Sequence, residues 1–167
     1  GVYAAERSGA PVQAFVRISD EEIVTHNQIR EPLHVIVLDR TLIGPHILTG
    51  MKPGGWLILN TPEAPEAYAE LFAGRQVATV DATGIAVANG LGTRTVPIVN
   101  TTILGAVARV LGLELGDVEA ALAEVKFGGA NVTAANTSFA AVRATKLAGE
   151  PVAAPPLPRP ERVVGIL

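Results

Sequence analysis

The sequence predicts an α/β domain, with a mostly parallel sheet flanked by helices and an extended C-terminal tail. Three short apolar runs alternate with helical or turn segments at regular intervals, and each run ends in a polar residue, namely Asp39, Asn60 and Asp81. Such repetition is typical of parallel βαβ units, whose ligands bind beyond the carboxyl ends of the strands. The composition agrees, since 49% of the 167 residues are apolar and only 4% are aromatic.

The composition also excludes several classes of function. The net charge is −3 with acidic and basic residues interspersed, which leaves no electrostatic footprint for nucleic acid or an anionic membrane. The absence of cysteine excludes disulfides, thiol catalysis and cysteine-ligated iron–sulfur or zinc sites within this chain, so any such centre must belong to a partner. No apolar run approaches the roughly 20 residues that cross a bilayer, and we expect a cytoplasmic protein.

The first segment is a charged turn joined to a predicted strand. Glu6 and Arg7 supply opposite charges, Ser8 supplies a hydroxyl, and Gly9 has a backbone that can lie close to another surface. Pro11 suits the first residue of a strand. A period of two then predicts an extended segment, in which alternate positions hold the apolar residues Val12, Ala14, Val16 and Ile18. On these residues alone, a turn leading into an edge strand is favoured over a functional site.

Three further strands are predicted in the first half. Residues 33–38, LHVIVL, form a continuous apolar run that is typical of a strand buried on both faces. Residues 41–50 predict a short helix or an irregular turn interrupted by a proline, and residues 52–55, KPGG, predict a tight turn. The next two strands are predicted at residues 56–59 and 76–80.

Helical segments are predicted after these two strands. Thr61, Pro62 and Glu63 match an N-cap, a proline at the first helical position and an acid in the first turn. They predict a helix over about residues 62–72, closed by Gly74. A short helix is predicted at residues 83–89.

The second half is predicted to be mainly helical. A brief extended piece at residues 97–99 leads to Asn100, which is expected to cap a helix that ends at Leu111. A second helix is predicted over about residues 116–126. A third is predicted to begin at Asn131, bury Val132, Ala135, Phe139 and Val142, and carry Arg143 and Lys146 at its C-terminal end.

The C-terminal residues are expected to form an extended arm. Residues 151–167 are rich in proline, and they follow a domain predicted to span residues 1–150. The apolar end of this arm, residues 163–167, would prefer the surface of a partner to water.

Few residues stand out as candidates for chemistry. None of the histidines, His26, His34 and His46, has another ligand type at a recognised metal spacing, and His34 at the start of a strand favours a hydrogen-bonded structural role. Asp39 and Asp81 end strands and are the best isolated candidates, although an aspartate in that place is more often the cap of the next turn. No nucleophile elbow or phosphate-loop motif is present.

The stretch PIVNTTILGA, residues 97–106, is more informative. Asn100 and Thr101 begin a predicted helix whose free N–H groups favour a phosphate or a carboxylate. An ordinary Asn cap, with Gly105 allowing close helix packing, explains the same residues equally well.

Five ordered motifs resemble one family, the γ subunits or γ domains of 2-oxoacid:ferredoxin oxidoreductases, the pyruvate synthase family. In chain order they are ERSGAPVQAFVRISDEEI, VIVLD, MKPGGWLILNTPE, VATVDAT and PIVNTTILGAVARVLGLE. The resemblance covers residues 6–142 and implies a Rossmann-like fold. The first motif looks like the pyruvate-type branch more than the 2-oxoglutarate-type branch, but it has Ser8 where the family usually carries a second arginine.

The family also begins with a strand, a glycine-rich loop of the form GRGGQG, a helix and a second strand, none of which precedes this turn. Because the first residue is Gly1 rather than Met, we expect an N-terminal piece to be missing.

The resemblance implies a subunit of a heteromeric, CoA-dependent complex that decarboxylates a 2-oxoacid oxidatively. Thiamine diphosphate, Mg²⁺ and 4Fe–4S clusters would be held by α, β and δ-type subunits, with ferredoxin or another acceptor taking the electrons. This chain would carry no covalent step and would help to bind CoA. Arg7, Ser8 and Gly9 are then expected to face the catalytic subunits, and Asn100 and Thr101 to line a ligand or subunit contact. A non-catalytic assembly subunit and a free-standing nucleotide-binding domain are the alternatives, the second being disfavoured by the missing glycine-rich loop and the apolar tail.

Overall fold

The computed structural model describes residues 12–24 and 28–157, which fall in two compact units divided after Arg30. In the first unit the strand predicted over Val12–Ile18 is wrong, because its described residues form neither strand nor helix. Val12, Val16 and Ile18 are 80%, 78% and 83% exposed. A strand needs a neighbour to take up its backbone N–H and C=O groups, and the described part of this unit offers none. The predicted turn at residues 6–9 lies outside the described residues.

The second unit contains a four-stranded sheet in the order β1-β2-β3-β4. The strands are β1 (Val35–Val37), β2 (Trp56–Asn60), β3 (Gln76–Val80) and β4 (Arg143–Lys146). The first three are parallel, and β4 pairs antiparallel with β3. This arrangement confirms the mostly parallel α/β sheet and the strands predicted at residues 56–59 and 76–80.

Seven helical segments accompany the sheet in the described residues. Three are short 3₁₀ turns, at Arg40–Leu42, Pro45–Leu48 and Pro65–Tyr68. The α-helices are α1 (Ala82–Ala88), α2 (Asn100–Leu111), α3 (Leu115–Glu124) and α4 (Gly129–Ala141). Across residues 12–24 and 28–157, no helix is long and apolar enough to cross a membrane.

The helix predicted over residues 62–72 is wrong, since only the 3₁₀ turn at Pro65–Tyr68 forms there. A proline in a helix interior lacks an N–H and clashes with the carbonyl four residues earlier, so Pro65 is compatible only with the start of a helical turn. The hydroxyl of Thr61 does accept a hydrogen bond from the N–H of Glu63, at 3.3 Å, as the N-cap prediction requires.

The third predicted helix ends earlier than expected. α4 stops at Ala141, and Val142 has extended backbone angles. Arg143 and Lys146 therefore belong to β4 rather than to the end of a helix. The physical reason is pairing over a long sequence distance, because Arg143–Lys146 supply hydrogen-bond partners to the outer edge of β3. Of the four residues expected to be buried by this helix, only Ala135 is fully buried.

The expectation that the first strand of the sheet is buried on both faces is also wrong. Within the described residues β1 is an edge strand, and Ile36 is 44% exposed. Ile36 pairs with Ile58, which places both on the helix-bearing face. α2 packs over β2 and β3 on that face, which leaves the Ile36 side chain uncovered.

The two faces of the sheet are packed differently. One face holds Leu57, Leu59 and Val77 against Phe72 and Leu48. The opposite face holds Ile58, Ala78 and Val80 against the helices, chiefly through Ile103 and Ala106 of α2. The alternation of these side chains along β2 and β3 is the period of two that the sequence predicts.

The described part of the C-terminal arm lies against its own domain. Val152 and Ala154 pack against the face of the sheet that holds Phe72 and Leu48, opposite α2. The N–H of Val152 donates to the carbonyl of Ala73 at 3.1 Å, and the Arg75 guanidinium donates to the carbonyl of Val152 at 2.6 Å. The arm is therefore attached to the domain through Val152 and Ala154, and residues 158–167 lie outside the described chain.

Candidate functional site

A cleft of about 510 Å³ lies where β1, β2 and β3 end. Its lining includes polar side chains at or just after the strand ends, namely Arg40, Asn60, Asp81 and Thr83, and also Arg94 from the connection between α1 and α2. The carboxyl ends of parallel strands meet at one edge of a sheet, and ligands of open α/β folds bind there. The predicted polar edge of the sheet is confirmed. The open cleft beside it has enough volume for a small organic ligand.

Asn60 fixes the floor of the cleft. Its amide nitrogen donates to the carbonyl of Leu38 at 2.7 Å and to the hydroxyl of Thr83 at 2.9 Å. Its amide oxygen accepts from the N–H of Thr83 at 3.1 Å. The side chain is 4% exposed, so it ties the end of β1 and the start of α1 to β2 rather than reaching towards a ligand.

Asp81 caps α1, as the sequence analysis favours. Its carboxylate accepts from the N–H of Gly84 at 2.8 Å. A Cβ at position 84 would lie 2.2 Å from the other carboxylate oxygen of Asp81, so a larger residue there would have to displace this carboxylate. Asp81 also lines the cleft, and its second oxygen is therefore a hydrogen-bond acceptor available beside a ligand.

Asp39 caps the turn that carries Arg40. Its carboxylate accepts from the N–H of Thr41 at 2.9 Å and from the hydroxyl of Thr41 at 2.8 Å. These bonds, the backbone one first, lower the pKa of Asp39 below its usual value. The capping alternative is thus confirmed for both aspartates.

Two arginines on the cleft wall were missed by sequence reasoning. Arg40 directly follows β1 and Asp39, and Arg94 lies in the glycine-rich connection between α1 and α2. Both are exposed, and no hydrogen bond or ion pair engages either guanidinium within residues 12–24 and 28–157. The sequence position of Arg40 could have identified it, because Arg40 immediately follows the predicted polar end of a strand.

The start of α2 differs from the prediction. The N-cap is Val99, and Asn100 is the first helical residue without a side-chain capping bond, so the expected Asn cap is wrong. The helix starts one residue earlier than predicted. The Asn100 side chain is exposed.

Thr101 is engaged inside the helical layer. It is 3% exposed, and its hydroxyl donates to the side-chain oxygen of Asn131 at 2.7 Å, which links α2 to α4. The expectation that Asn100 and Thr101 line a ligand or subunit contact stays a prediction. Arg7, Ser8 and Gly9 lie outside the described residues, so the same holds for them.

His34 has the structural role that its position predicts. Its Nδ1 accepts from the backbone N–H of Trp56 at 3.1 Å, and burial lowers the pKa of the imidazole. Among the described residues, no group of three or more His, Cys, Asp or Glu side chains is placed to hold a metal ion.

Comparisons with known proteins agree on one family. The family model described as pyruvate ferredoxin/flavodoxin oxidoreductase matches residues 1–146. The pyruvate/ketoisovalerate oxidoreductases common subunit gamma of Thermococcus kodakarensis is 43% identical over 145 residues, covering 82% of this chain and 76% of that protein. Pyruvate synthase subunit PorC of Methanocaldococcus jannaschii is 39% identical over 142 residues, with 82% and 75% covered.

A solved structure supports the same fold. The crystal structure of pyruvate oxidoreductase subunit PORC from Thermotoga maritima matches with a TM-score of 0.60 and 30% identity. The match covers 71% of this chain and 67% of that one.

Proposed function

Since this chain belongs to the pyruvate ferredoxin/flavodoxin oxidoreductase family, as a γ-type subunit, we propose that its complex makes acyl-CoA from a 2-oxoacid. The 2-oxoacid and CoA–SH give acyl-CoA, CO₂, one proton and two electrons, and the electrons pass to ferredoxin or another acceptor. The relatives named for pyruvate and ketoisovalerate support a small or branched 2-oxoacid as substrate. We propose that the complex acts in the cytoplasm.

The redox and decarboxylation chemistry is assigned to partner subunits. This chain has no cysteine, so its residues do not fit a cysteine-ligated cluster. Thiamine diphosphate, Mg²⁺ and 4Fe–4S clusters are therefore proposed to lie in α, β and δ-type subunits. The γ chain contributes binding and orientation of CoA near these centres.

The observation that carries this role is the cleft at the ends of β1, β2 and β3. Its walls carry Arg40 and Arg94, whose guanidinium groups suit the phosphates of CoA. Asn60 holds the three segments of the floor together, so the cleft is shaped before a ligand binds. A preformed site loses less entropy on binding than one that must order itself.

Two other surfaces are proposed to face the rest of the complex. Arg7, Ser8 and Gly9 are assigned to the contact with the catalytic subunits, on the basis of the family motif. At the start of α2, Asn100 and Thr101 are assigned to a ligand or subunit contact. The side chain of Asn100 is exposed, whereas that of Thr101 is buried and donates to Asn131 of α4.

The test uses the purified complex and follows acyl-CoA formation against CoA concentration, with pyruvate and with ketoisovalerate as substrates. We expect Asn100→Ala to raise the KM for CoA with little change in kcat. Thr137→Ala is the matched control, because within the described part of the chain that exposed hydroxyl bonds only to the carbonyl of Thr133 in its own helix. An unchanged KM in Asn100→Ala would remove Asn100 from the ligand contact. Oxidation of the 2-oxoacid that neither requires CoA nor forms acyl-CoA would defeat the proposal.

The alternative role is assembly without a part in CoA binding. It is favoured by the arm, because the described residue Val152 is bonded to the domain and the apolar sequence of residues 163–167 would prefer the surface of a partner to water. A truncation that removes residues 158–167 keeps Val152 and Ala154 on the sheet and tests this alternative. Loss of the complex, with a normal KM for CoA in whatever remains assembled, would identify the arm as an assembly element.

A further inference from the structure

We infer that Arg143 is a positioning residue, whose guanidinium holds the rim loop, residues 61–64, where this loop forms part of the cleft wall. The rim loop follows β2, and its residue Pro62 lines the cleft. Arg143 begins β4, 81 residues further along the chain than Pro62. The inference rests on the proposed function only for its kinetic test, because the contact itself involves no ligand.

The contact is made by one nitrogen of the Arg143 guanidinium. This Nη2 donates to the carbonyl of Pro62 at 2.7 Å and to the carbonyl of Glu63 at 2.7 Å. Hydrogen bonds from a charged donor are shorter than neutral ones and about twice as strong. Because both acceptors are backbone carbonyls, the contact fixes the path of the chain through the rim loop.

The rim loop has few hydrogen bonds of its own. Pro62 and the next proline, Pro65, have no N–H, so neither can donate the hydrogen bond that closes a turn. The N–H of Thr61 is bonded to the backbone of β3 at 2.9 Å, which fixes the start of the loop. Among the described residues, no backbone N–H donates to the carbonyl of Pro62 or Glu63. These two carbonyls therefore depend on Arg143 for a partner within the protein.

Arg143 acts from a well-supported strand. β4 pairs with β3, and Arg143 lies opposite Thr79 near the carboxyl end of β3. The pairing continues past the end of β4, where the N–H of Leu147 donates to the carbonyl of Arg75 at 2.9 Å. A side chain on a paired strand is a more precise support than one on a loop. Since β3 lies between β2 and β4, the guanidinium reaches across the end of β3 to the rim loop.

Loss of this contact should weaken ligand binding and leave the chemical step unchanged. Without the guanidinium, the rim loop can leave the position in which Pro62 lines the cleft. A ligand then binds only the fraction of molecules in which the loop is in place, and its apparent affinity falls by that fraction. Because this chain is proposed to carry no covalent step, kcat should stay the same.

The first measurement is amide hydrogen exchange of the intact complex without ligand. Arg143→Met keeps much of the length of the side chain but removes its donors, and it should speed exchange at Glu63 and Ala64. Lys146→Met is the matched control. It removes a cation from the same strand at the end that pairs with Gln76, away from the rim loop, and should leave this exchange unchanged.

The second measurement is acyl-CoA formation by the same complexes against CoA concentration. Arg143→Met should raise the KM for CoA about tenfold, the usual effect of losing a charge-assisted hydrogen bond, with kcat unchanged. Arg143→Lys keeps the charge and part of the reach, so it should restore part of the lost affinity. Lys146→Met should match the wild type in both KM and kcat.

The two measurements separate this inference from the proposed function. Exchange in Arg143→Met equal to that of the control would overturn the inference. Faster exchange with an unchanged KM for CoA would also overturn it, because Arg143 would then have a structural role alone, and the proposed function would stand. A wild-type complex that does not use CoA would defeat the proposed function, and the exchange result would still decide whether Arg143 holds the loop. Where Arg143→Met does not assemble, Arg143→Lys takes its place, and exchange and KM both equal to the control would overturn the inference.

Discussion

The backbones of α2 and α4 approach closely at Gly105 of α2, and Gly105→Ala should be clearly destabilising. A Cβ at this position would lie 1.8 Å from the carbonyl oxygen of Ala135, 2.7 Å from its carbonyl carbon and 2.9 Å from the N–H nitrogen of Phe139. All three atoms are backbone atoms of α4, so no side-chain rotation relieves the contact. Real Cβ atoms almost never approach closer than 3.0 Å, which requires a separation of the helices of about 1.2 Å at the crossing (3.0 minus 1.8).

Two opposing effects set the size of the change. Overpacking in a close-packed interior costs about 1–3 kcal/mol, and the upper part of this range applies because the contact is with rigid backbone. Alanine has a higher helix propensity than glycine, which stabilises the helix by up to about 1 kcal/mol. The steric effect wins, and the net loss of unfolding free energy is about 2 kcal/mol. For a chain of this length, that lowers Tm by about 4–8 °C.

Gly116→Ala is the matched control for this experiment. Gly116 lies in α3, and a Cβ there meets nothing within 4 Å. The same substitution should therefore leave Tm unchanged or raise it by about 2 °C. Calorimetry of the full chain measures both variants. A Tm for Gly105→Ala equal to or above that of the wild type would refute the close crossing of α2 and α4.

Three further predictions concern other contacts. The pKa of His34 is lowered, and its imidazole must be neutral to accept from the Trp56 N–H. The free energy of unfolding should therefore fall as the pH drops below 6.5 towards that lowered pKa. Urea unfolding should show that this pH dependence is reduced in His34→Leu and retained in His46→Leu. Asn60→Ala should cost about 1–3 kcal/mol because it leaves buried partners unsatisfied, and Asn60→Asp, which keeps only the acceptor, should also destabilise the chain in the same urea assay. Arg75→Ala should detach the arm at Val152 and speed limited proteolysis of residues 151–157, so unchanged cleavage would contradict the role of the 2.6 Å bond.

Much of the parallel part of the sheet could be predicted because its signals are local. β2 and β3 are short apolar runs with polar ends, and their side chains need no distant partner to explain them. The caps formed by Asp39 and Asp81 are likewise bonds to the next few residues. These local patterns were interpreted correctly, whereas two others, the Asn100 cap and the helix over residues 62–72, were not.

The rest depended on contacts between distant parts of the chain. β4 forms because Lys146 pairs with Gln76, and nothing in its own four residues distinguishes it from the last turn of a helix. The Ile36 side chain is exposed because β1 lies at the edge of the described sheet. A single apolar run in the sequence does not reveal the order of the strands. Sequence alternation over Val12–Ile18 predicted a strand, but alternation alone supplies no pairing partner.

The candidate site was predicted in position but not in composition. The sequence placed polar residues at the ends of three strands, and the cleft lies there. It did not single out Arg40 or Arg94, since an arginine in a loop is normally a solvated surface residue. Only the fold shows that two separate turns bring both arginines to the same cleft.

Native mass spectrometry of the complex, isolated from its source organism through this chain with cofactors retained, tests the central claim most directly. The account predicts one assembly that contains this chain, subunits carrying thiamine diphosphate and subunits carrying iron–sulfur clusters, with a mass increase on adding CoA. A chain found alone or only with copies of itself, without thiamine diphosphate or iron–sulfur partners, would contradict its assignment as the γ subunit of a 2-oxoacid oxidoreductase.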